Sequence, residues 1–276
     1  MNDEYDIQCG YEAGCLGYSL YNQLTAAGVK CVILAPTTML TPQGVRIKTD
    51  MRDAYMIAQC LSYGGYHVVY IPTETDDSVK EYLRMRNDHK LALKKIKQQI
   101  NAFCIRHGCC YDGTKWTLAH LKWLKKLEIT NELYRETLDE YMASYEEQET
   151  KIERYDKRIE EIAEQTKYHD KVKKLECFLG IKTHTALSLI VETGDFERFA
   201  KGNQYAAYLG LAPGENSSSD SIHRLGITKA GNSHLRQLLI EAAGEICKGA
   251  VGHKSKELRR RQNGNTAEVI AYADKA

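Results

Sequence analysis

The stretch Leu138 to Ile162 reads LDEYMASYEEQETKIERYDKRIEEI. In it Leu138, Tyr141, Tyr145, Gln148, Ile152, Tyr155, Ile159 and Ile162 recur at alternating spacings of three and four. That is a heptad seam with one polar member, Gln148, and it predicts a long helix with a narrow apolar stripe. Such a seam packs either inside a helical hairpin or between subunits, so it is read as structural. Upstream of it Val79, Leu83, Leu91, Ile96, Ile100 and Phe103 fit a second long helix, which carries Arg84, Arg86, Lys90, Lys94, Lys95 and Lys97. Between the two, a turn-rich segment from Gly108 to Gly113 leads into Trp116, Leu121, Trp123 and Leu124 interleaved with Lys115, Lys122, Lys125 and Lys126. The tryptophans are read as core, with base stacking as the alternative.

Working outward to the N-terminus, the first 72 residues alternate strands and helices. Ile7 to Glu12 is a strand candidate, and Leu16 to Ala27 a helix that Gly28 ends. Cys31 to Ala35 is a buried-type strand closed by Pro36. Thr49 is an N-cap for a helix from Asp50 to about Tyr63, stopped by Gly64-Gly65. His67 to Ile71 is a third strand before Pro72. This β-α-β-α-β order predicts an α/β domain with parallel pairing.

Toward the C-terminus, Leu175 to Ala186 is helix, glycine turn at Gly180, then helix. It matches a helix-hairpin-helix that could hold a DNA phosphate on its turn amides, or a plain helical hairpin. Phe196 to Leu211 predicts a further helix, Asn232 caps another built on Leu235, Leu238, Leu239 and Ala242, and Ala267 to Ala276 reads as a last one. The fold class is therefore α/β followed by mostly α. Three segments are expected: residues 1–80, a basic and coiled-coil region 81–170, and a small helical region 171–276.

With 276 residues, 27% of them charged, and a mean hydropathy of −0.49, the chain reads as soluble and cytoplasmic. No apolar run approaches the roughly 20 residues that cross a bilayer. Nine cysteines without paired metal spacing fit reduced thiols better than a disulfide framework. The net charge of +1 hides segregation, with residues 81–126 carrying net +8 and residues 127–165 net −8. A local basic face is enough to attract phosphate. Lys90, Lys94, Lys95, Lys97, Arg106 and Lys115 are the candidates for RNA or DNA backbone contact. Arg259-Arg260-Arg261 is read as a solvated face.

Two clusters could carry chemistry. Asn216 to Ser221 is rich in hydroxyls and lies beside the cations Arg224, Lys229 and Arg236. A hydroxyl attacking a phosphodiester needs positive charge where oxyanions develop; a solvated serine-rich turn is the alternative. Glu12 closes the first strand, and Asp50 and Asp53 share one face of a helix start. Together the three carboxylates could hold a divalent metal, although acids in a first helical turn also complement the helix dipole.

The words Tyr11-Glu12-Ala13-Gly14, Gly17-Tyr18, Lys48 to Ala54, Gly180-Ile181, Gly194-Asp195-Phe196 and Leu209-Gly210-Leu211-Ala212-Pro213 stand in order along nearly the whole chain. They resemble the insertion-sequence transposases of the IS-one-ten type, which are bridge-RNA-guided DNA recombinases. The resemblance implies an N-terminal RNase H-like domain of the resolvase kind with a DEDD carboxylate set, then a coiled coil, then a small domain with a nucleophilic serine. It places the family's glutamate on Glu12, its two later aspartates on Asp50 and Asp53 with Mg2+, and its serine on Ser218, with Ser217 the alternative. It adds Lys48 to the nucleic-acid contacts and implies DNA, a guide RNA and further copies of the chain, joined through the coiled coil, as partners. The family's first aspartate has no counterpart before Glu12, so the α/β domain is expected to be incomplete and the chain truncated at the N-terminus and at the C-terminus. A nucleic-acid-binding remnant without chemistry is the alternative function, and a junction nuclease using carboxylates alone the least favoured.

Overall fold

The computed structural model describes residues 7–36, 39, 49–218, 221–246 and 252–275. In chain order the first elements are β1 (Gln8–Glu12), α1 (Ser19–Ala26), β2 (Lys30–Leu34), α2 (Asp50–Tyr63), α3 (Glu74–Arg106), α4 (Leu118–Lys126) and α5 (Glu132–Ala163). There follow α6 (His169–Leu175), α7 (Thr183–Thr193), α8 (Gly202–Tyr208), β3 (Pro213–Glu215), β4 (Arg224–Ile227), α9 (Ser233–Ile246), α10 (Lys256–Gln262) and α11 (Ala267–Lys275). The chain is mostly helical and folds as two compact units: residues 1–73 with 196–236, and residues 74–195 with 237–276. The division cuts the expected C-terminal segment 171–276 twice.

The helical unit is built on the two long helices. α3 and α5 pack antiparallel, since Arg86 meets Asp156 while Lys97 meets Glu149. Seam residues Leu138, Tyr145 and Ile152, with Met142, are buried against Leu93, Ile100, Phe103 and Cys104 of α3 and Leu124 of α4. The seam is thus consumed inside the chain. Its polar member is satisfied there: Gln148 Oε1 lies 2.8 Å from His89 Nδ1, and the Tyr155 hydroxyl 3.5 Å from His89 Nε2. A half-buried polar pair at one level of an apolar stripe penalises any slipped register, which would leave it unpartnered. Trp116 and Trp123 pack against the same core, Trp116 stacked on Tyr145 and Trp123 on His120.

In the other unit β1 and β2 pair in parallel, Gln8 opposite Lys30 through Glu12 opposite Leu34. α1 connects them and starts at Ser19, later than Leu16 suggests, because the residues after Glu12 turn. The Tyr11 hydroxyl pins that turn, donating to the Gly17 carbonyl at 2.8 Å and accepting from the Tyr21 N–H at 3.3 Å. α2 begins and ends as its caps dictate: the Arg52 N–H donates to the Thr49 hydroxyl, and Gly64 closes the helix at φ 68°. Leu34, Met39 and Cys60 form a small core with Val32, Met56, Ile57, Leu61 and Tyr66 around it.

Two expectations fail here. The strand predicted over His67–Ile71 is reduced to a single antiparallel bridge between Leu34 and Val68, held by the N–H groups of Ala35 and Val69. Beyond Val69 no further ladder bond forms among the described residues before Pro72, which has no N–H to donate. The helix predicted over Phe196–Leu211 is only α8, because the Gln204 side chain reaches back to accept from the N–H groups of Ala200 and Lys201 and starts the helix there. In place of a loop, Pro213–Ile227 forms the hairpin β3–β4.

Candidate functional site

The hydroxyl-rich segment is carried by β3–β4. Pro213 pairs with Ile227 and Glu215 with Arg224, and the Asn216 N–H donates to the His223 carbonyl at 2.9 Å. The ladder closes at Ser218 and Ser221, each N–H donating to the other's carbonyl at 3.1 Å. Ser219 and Asp220, between them, lie outside the described residues. The Ser217 hydroxyl donates to Glu215 Oε1 at 2.7 Å and accepts from the His223 N–H at 3.2 Å. Ser217, Ser218, Glu215 and Arg224 are all exposed. The tip therefore exposes two serines, with Glu215 hydrogen-bonded to Ser217 and Arg224 opposite Glu215 in the ladder.

The hairpin's legs are fixed at their base. Thr228 and Lys229 donate their N–H groups to the carbonyls of Ala212 and Gly210 at 3.0 Å. Gly210 and Gly231 both sit at positive φ, and a Cβ on either would run into a backbone carbonyl, of Ala230 and of Tyr208 respectively. Only glycine combines that dihedral with that approach. The guanidinium of Arg236, expected to face phosphate, instead donates to the carbonyls of Leu209 and Ala230 at 2.8 and 3.2 Å. Its charge stays in the unit, but its hydrogen bonds hold the base of the hairpin. Arg224 and Lys229 remain the hairpin's exposed cations.

Glu12 ends β1 opposite Leu34 and is exposed, as is Asp50; Asp53 is half-buried in the same first turn of α2. Among the described residues no group of three or more His, Cys, Asp or Glu side chains is placed to hold a metal ion. Glu12, Asp50 and Asp53 are therefore not gathered into a preformed three-carboxylate site. Lys48 lies outside the described residues.

Of the basic candidates, Lys94, Lys95, Arg106 and Lys115 are exposed in the helical unit. Lys97 is committed: it pairs with Glu149 at 2.9 Å and sits over the rings of Trp116 and Tyr145 at 5.4 and 5.3 Å. Lys90 lies 3.8 Å from Glu241. α6 ends at Leu175 and α7 begins at Thr183, so the Gly180 turn lies between two helices, and the start of α7 is engaged by the protein itself. The Thr183 hydroxyl donates to Glu176 Oε1 at 2.6 Å, which sets a carboxylate where a phosphate would meet the start of α7. The Arg261 guanidinium donates to the carbonyls of Glu176 and Ile181, so one member of the arginine run is structural.

Sequence reasoning missed Glu215 and the hairpin that positions it. The available signal was weak: a carboxylate two residues before a serine, which strand alternation puts on one face.

A family model described as "Transposase IS116/IS110/IS902 family" matches residues 172–258, a span that includes the hairpin and its base. Over most of its length the chain is also similar to curated relatives. It is 33% identical over 280 residues to the transposase for insertion sequence element IS1533 of Leptospira borgpetersenii, covering 98% of this chain and 79% of that protein. It is 33% identical over 234 residues to y4qE of Sinorhizobium fredii, a protein described as a transposase, covering 84% of this chain. It is 28% identical over 264 residues to the transposase for insertion sequence element IS1111A of Coxiella burnetii, covering 87% of this chain and 69% of that protein. The chain spans 57% of the length of y4qE. With a one-third identity sustained across nearly the whole chain, and a family model seated on the serine hairpin, the chain belongs to the IS116/IS110/IS902 family of insertion-sequence transposases.

Proposed function

We propose that this chain cuts and rejoins DNA for an insertion sequence, through a serine of the 213–227 hairpin that attacks a phosphodiester. The observation that carries the reading is the exposed tip bearing Ser217 and Ser218 on the hairpin that also carries Arg224, on a base that admits only glycine at Gly210 and Gly231. Exposed hydroxyls on a segment that also carries positive charge suit attack on an anionic backbone. Ser218 is the assignment from the family's register, with Ser217 beside it. Exposed Lys94, Lys95, Arg106 and Lys115 would meet DNA or a guide RNA through phosphate. Magnesium on Glu12, Asp50 and Asp53 would need phosphate oxygens or further carboxylates to complete its shell. Self-association would use a surface other than the seam, which α3 covers.

The test is a covalent adduct. The chain is incubated with magnesium, with DNA carrying its gene and flanks, and with RNA transcribed from those flanks. A DNA-linked band should resist denaturation, and should vanish in Ser217→Ala/Ser218→Ala while DNA binding persists. A second reading, nucleic-acid binding without chemistry, is favoured by the ungathered carboxylates. It predicts binding with no adduct in the parent chain.

A further inference from the structure

Four aromatic rings, of Phe196, Phe199, Tyr205 and Tyr208, gather just ahead of the hairpin and in the same compact unit. Tyr205 and Tyr208 lie three apart on α8 and so share a face; their rings stack with centres 6.1 Å apart and 22° between planes. Phe199 meets both at 5.2 Å, and Phe196 meets Tyr205 at 5.7 Å. A sealed core would mix such rings with branched aliphatics and exclude water. From Phe196 to Tyr208 there is no Leu, Ile, Val or Met, and none of the four rings is buried. Phe196 is 39% exposed, and Tyr70, from the other segment of the unit, 37%.

A cation lies over this cluster. The guanidinium carbon of Arg198 is 4.6 Å from the ring centre of Tyr208, 4.7 Å from that of Phe199 and 5.5 Å from that of Tyr70. These are cation–π distances, and Arg198 is itself exposed. Flat π faces joined to positive charge complement a strand whose bases are flat and whose backbone is anionic. The cluster is also tied to the hairpin. The N–H groups of Gly210 and Leu211 donate to the carbonyls of Ala207 and Ala206 at 2.9 and 2.8 Å, and Gly231 closes on the Tyr208 carbonyl.

Resting on the attack on DNA proposed for the hairpin, we infer that Tyr70, Phe196 and Arg198 form a stacking platform for unpaired bases of the DNA strand being cut. Stacking on rings and on a guanidinium plane accepts any base, because every base has a π face. A base inside a duplex keeps its faces against its neighbours, so the platform takes only melted segments. The partner is DNA because residues 206–212 join the platform to the hairpin, so the strand it holds is the one the serines would attack.

The intact chain is titrated into a single-stranded DNA of about twelve nucleotides, a thymidine run with one 2-aminopurine, whose fluorescence falls when it stacks on a ring. Binding should quench the probe. Phe196→Leu keeps apolar bulk and Arg198→Lys keeps charge, but each loses a planar face. Each should weaken binding about fivefold or more and reduce the quench. Phe196→Tyr and Tyr70→Phe should retain both, and near-ultraviolet circular dichroism should report an intact fold in all four. A quench that survives Phe196→Leu and Arg198→Lys, an equal quench when the probe is annealed to its complement, or tighter binding of RNA of the same sequence overturns the platform. Ser217→Ala/Ser218→Ala should quench as the parent does. A parent that quenches by these residues yet never forms the covalent adduct sinks the serine function alone, so the two failures are told apart.

Discussion

The long-helix region and the serine hairpin treat polar groups in opposite ways. Between α3 and α5 each polar intruder has a partner inside the packing: Gln148 with His89, Lys97 with Glu149, Arg86 with Asp156 through two hydrogen bonds. On the hairpin the hydroxyls, the carboxylate and the cation are displayed to solvent. Burial specifies a unique register, whereas display leaves groups free to react. Stability and chemistry therefore reside in different residues and can be perturbed separately.

The sharpest way to break that contrast is to empty the packed side. Leu138 is fully buried, and Leu138→Ala should cost about 2–5 kcal/mol in urea unfolding, while Ser217→Ala and Ser218→Ala stay within about 0.5 kcal/mol. Comparable losses for both would erase the distinction. At the hairpin base, Gly231→Ala must adopt positive φ and push against the Tyr208 carbonyl. It should destabilise by more than about 1 kcal/mol, which urea unfolding followed by near-ultraviolet circular dichroism would report.

Gln148→Leu leaves His89 without its amide partner and should cost about 1–3 kcal/mol. Replacing both residues by leucine should restore most of that, which a double-mutant cycle measures directly. Single-strand DNA or RNA affinity should fall with added salt. Lys94→Gln and Lys95→Gln should each reduce the logarithmic slope by roughly 0.7–0.9 if both touch phosphate; an unchanged slope removes them from the contact surface.

The smallest effect concerns pH. Burial, and then the nearby Lys115 charge, hold the His120 imidazole below its ordinary range. The unfolded chain therefore binds a proton that the folded chain refuses. Stability should fall as pH drops through about 6.5 and level off below the depressed value. The urea midpoint of His120→Gln should depend less on pH over that window than the parent's.

Much of the fold was legible from residue patterns because the signals are local. The seam, the Thr49 cap, the Gly64 stop and the Asn232 cap each act within one helical turn, and each element lies where those residues put it. What sequence could not supply is pairing at a distance. His67–Ile71 has strand composition, yet pairs only at Val68, since composition does not say whether a neighbouring strand is in reach. Arg236 reads as a phosphate cation and proves to be a clamp on two carbonyls, an outcome set by how residues 209 and 230 approach it. The Ser217–Glu215 contact escaped notice because Ser-rich composition suggests a loop, and the same-face spacing matters only once the segment is extended.

The two long helices also amount to a ruler. At about 1.5 Å per residue, the 33 residues of α3 extend roughly 50 Å, close to the axial length of about fifteen base pairs. Since a slipped register would leave the His89–Gln148 pair unpartnered, sliding is disfavoured and the length of the packed pair is held. Excising one heptad from each helix at matched levels would shorten the gauge by about 10 Å without disturbing the packing that remains.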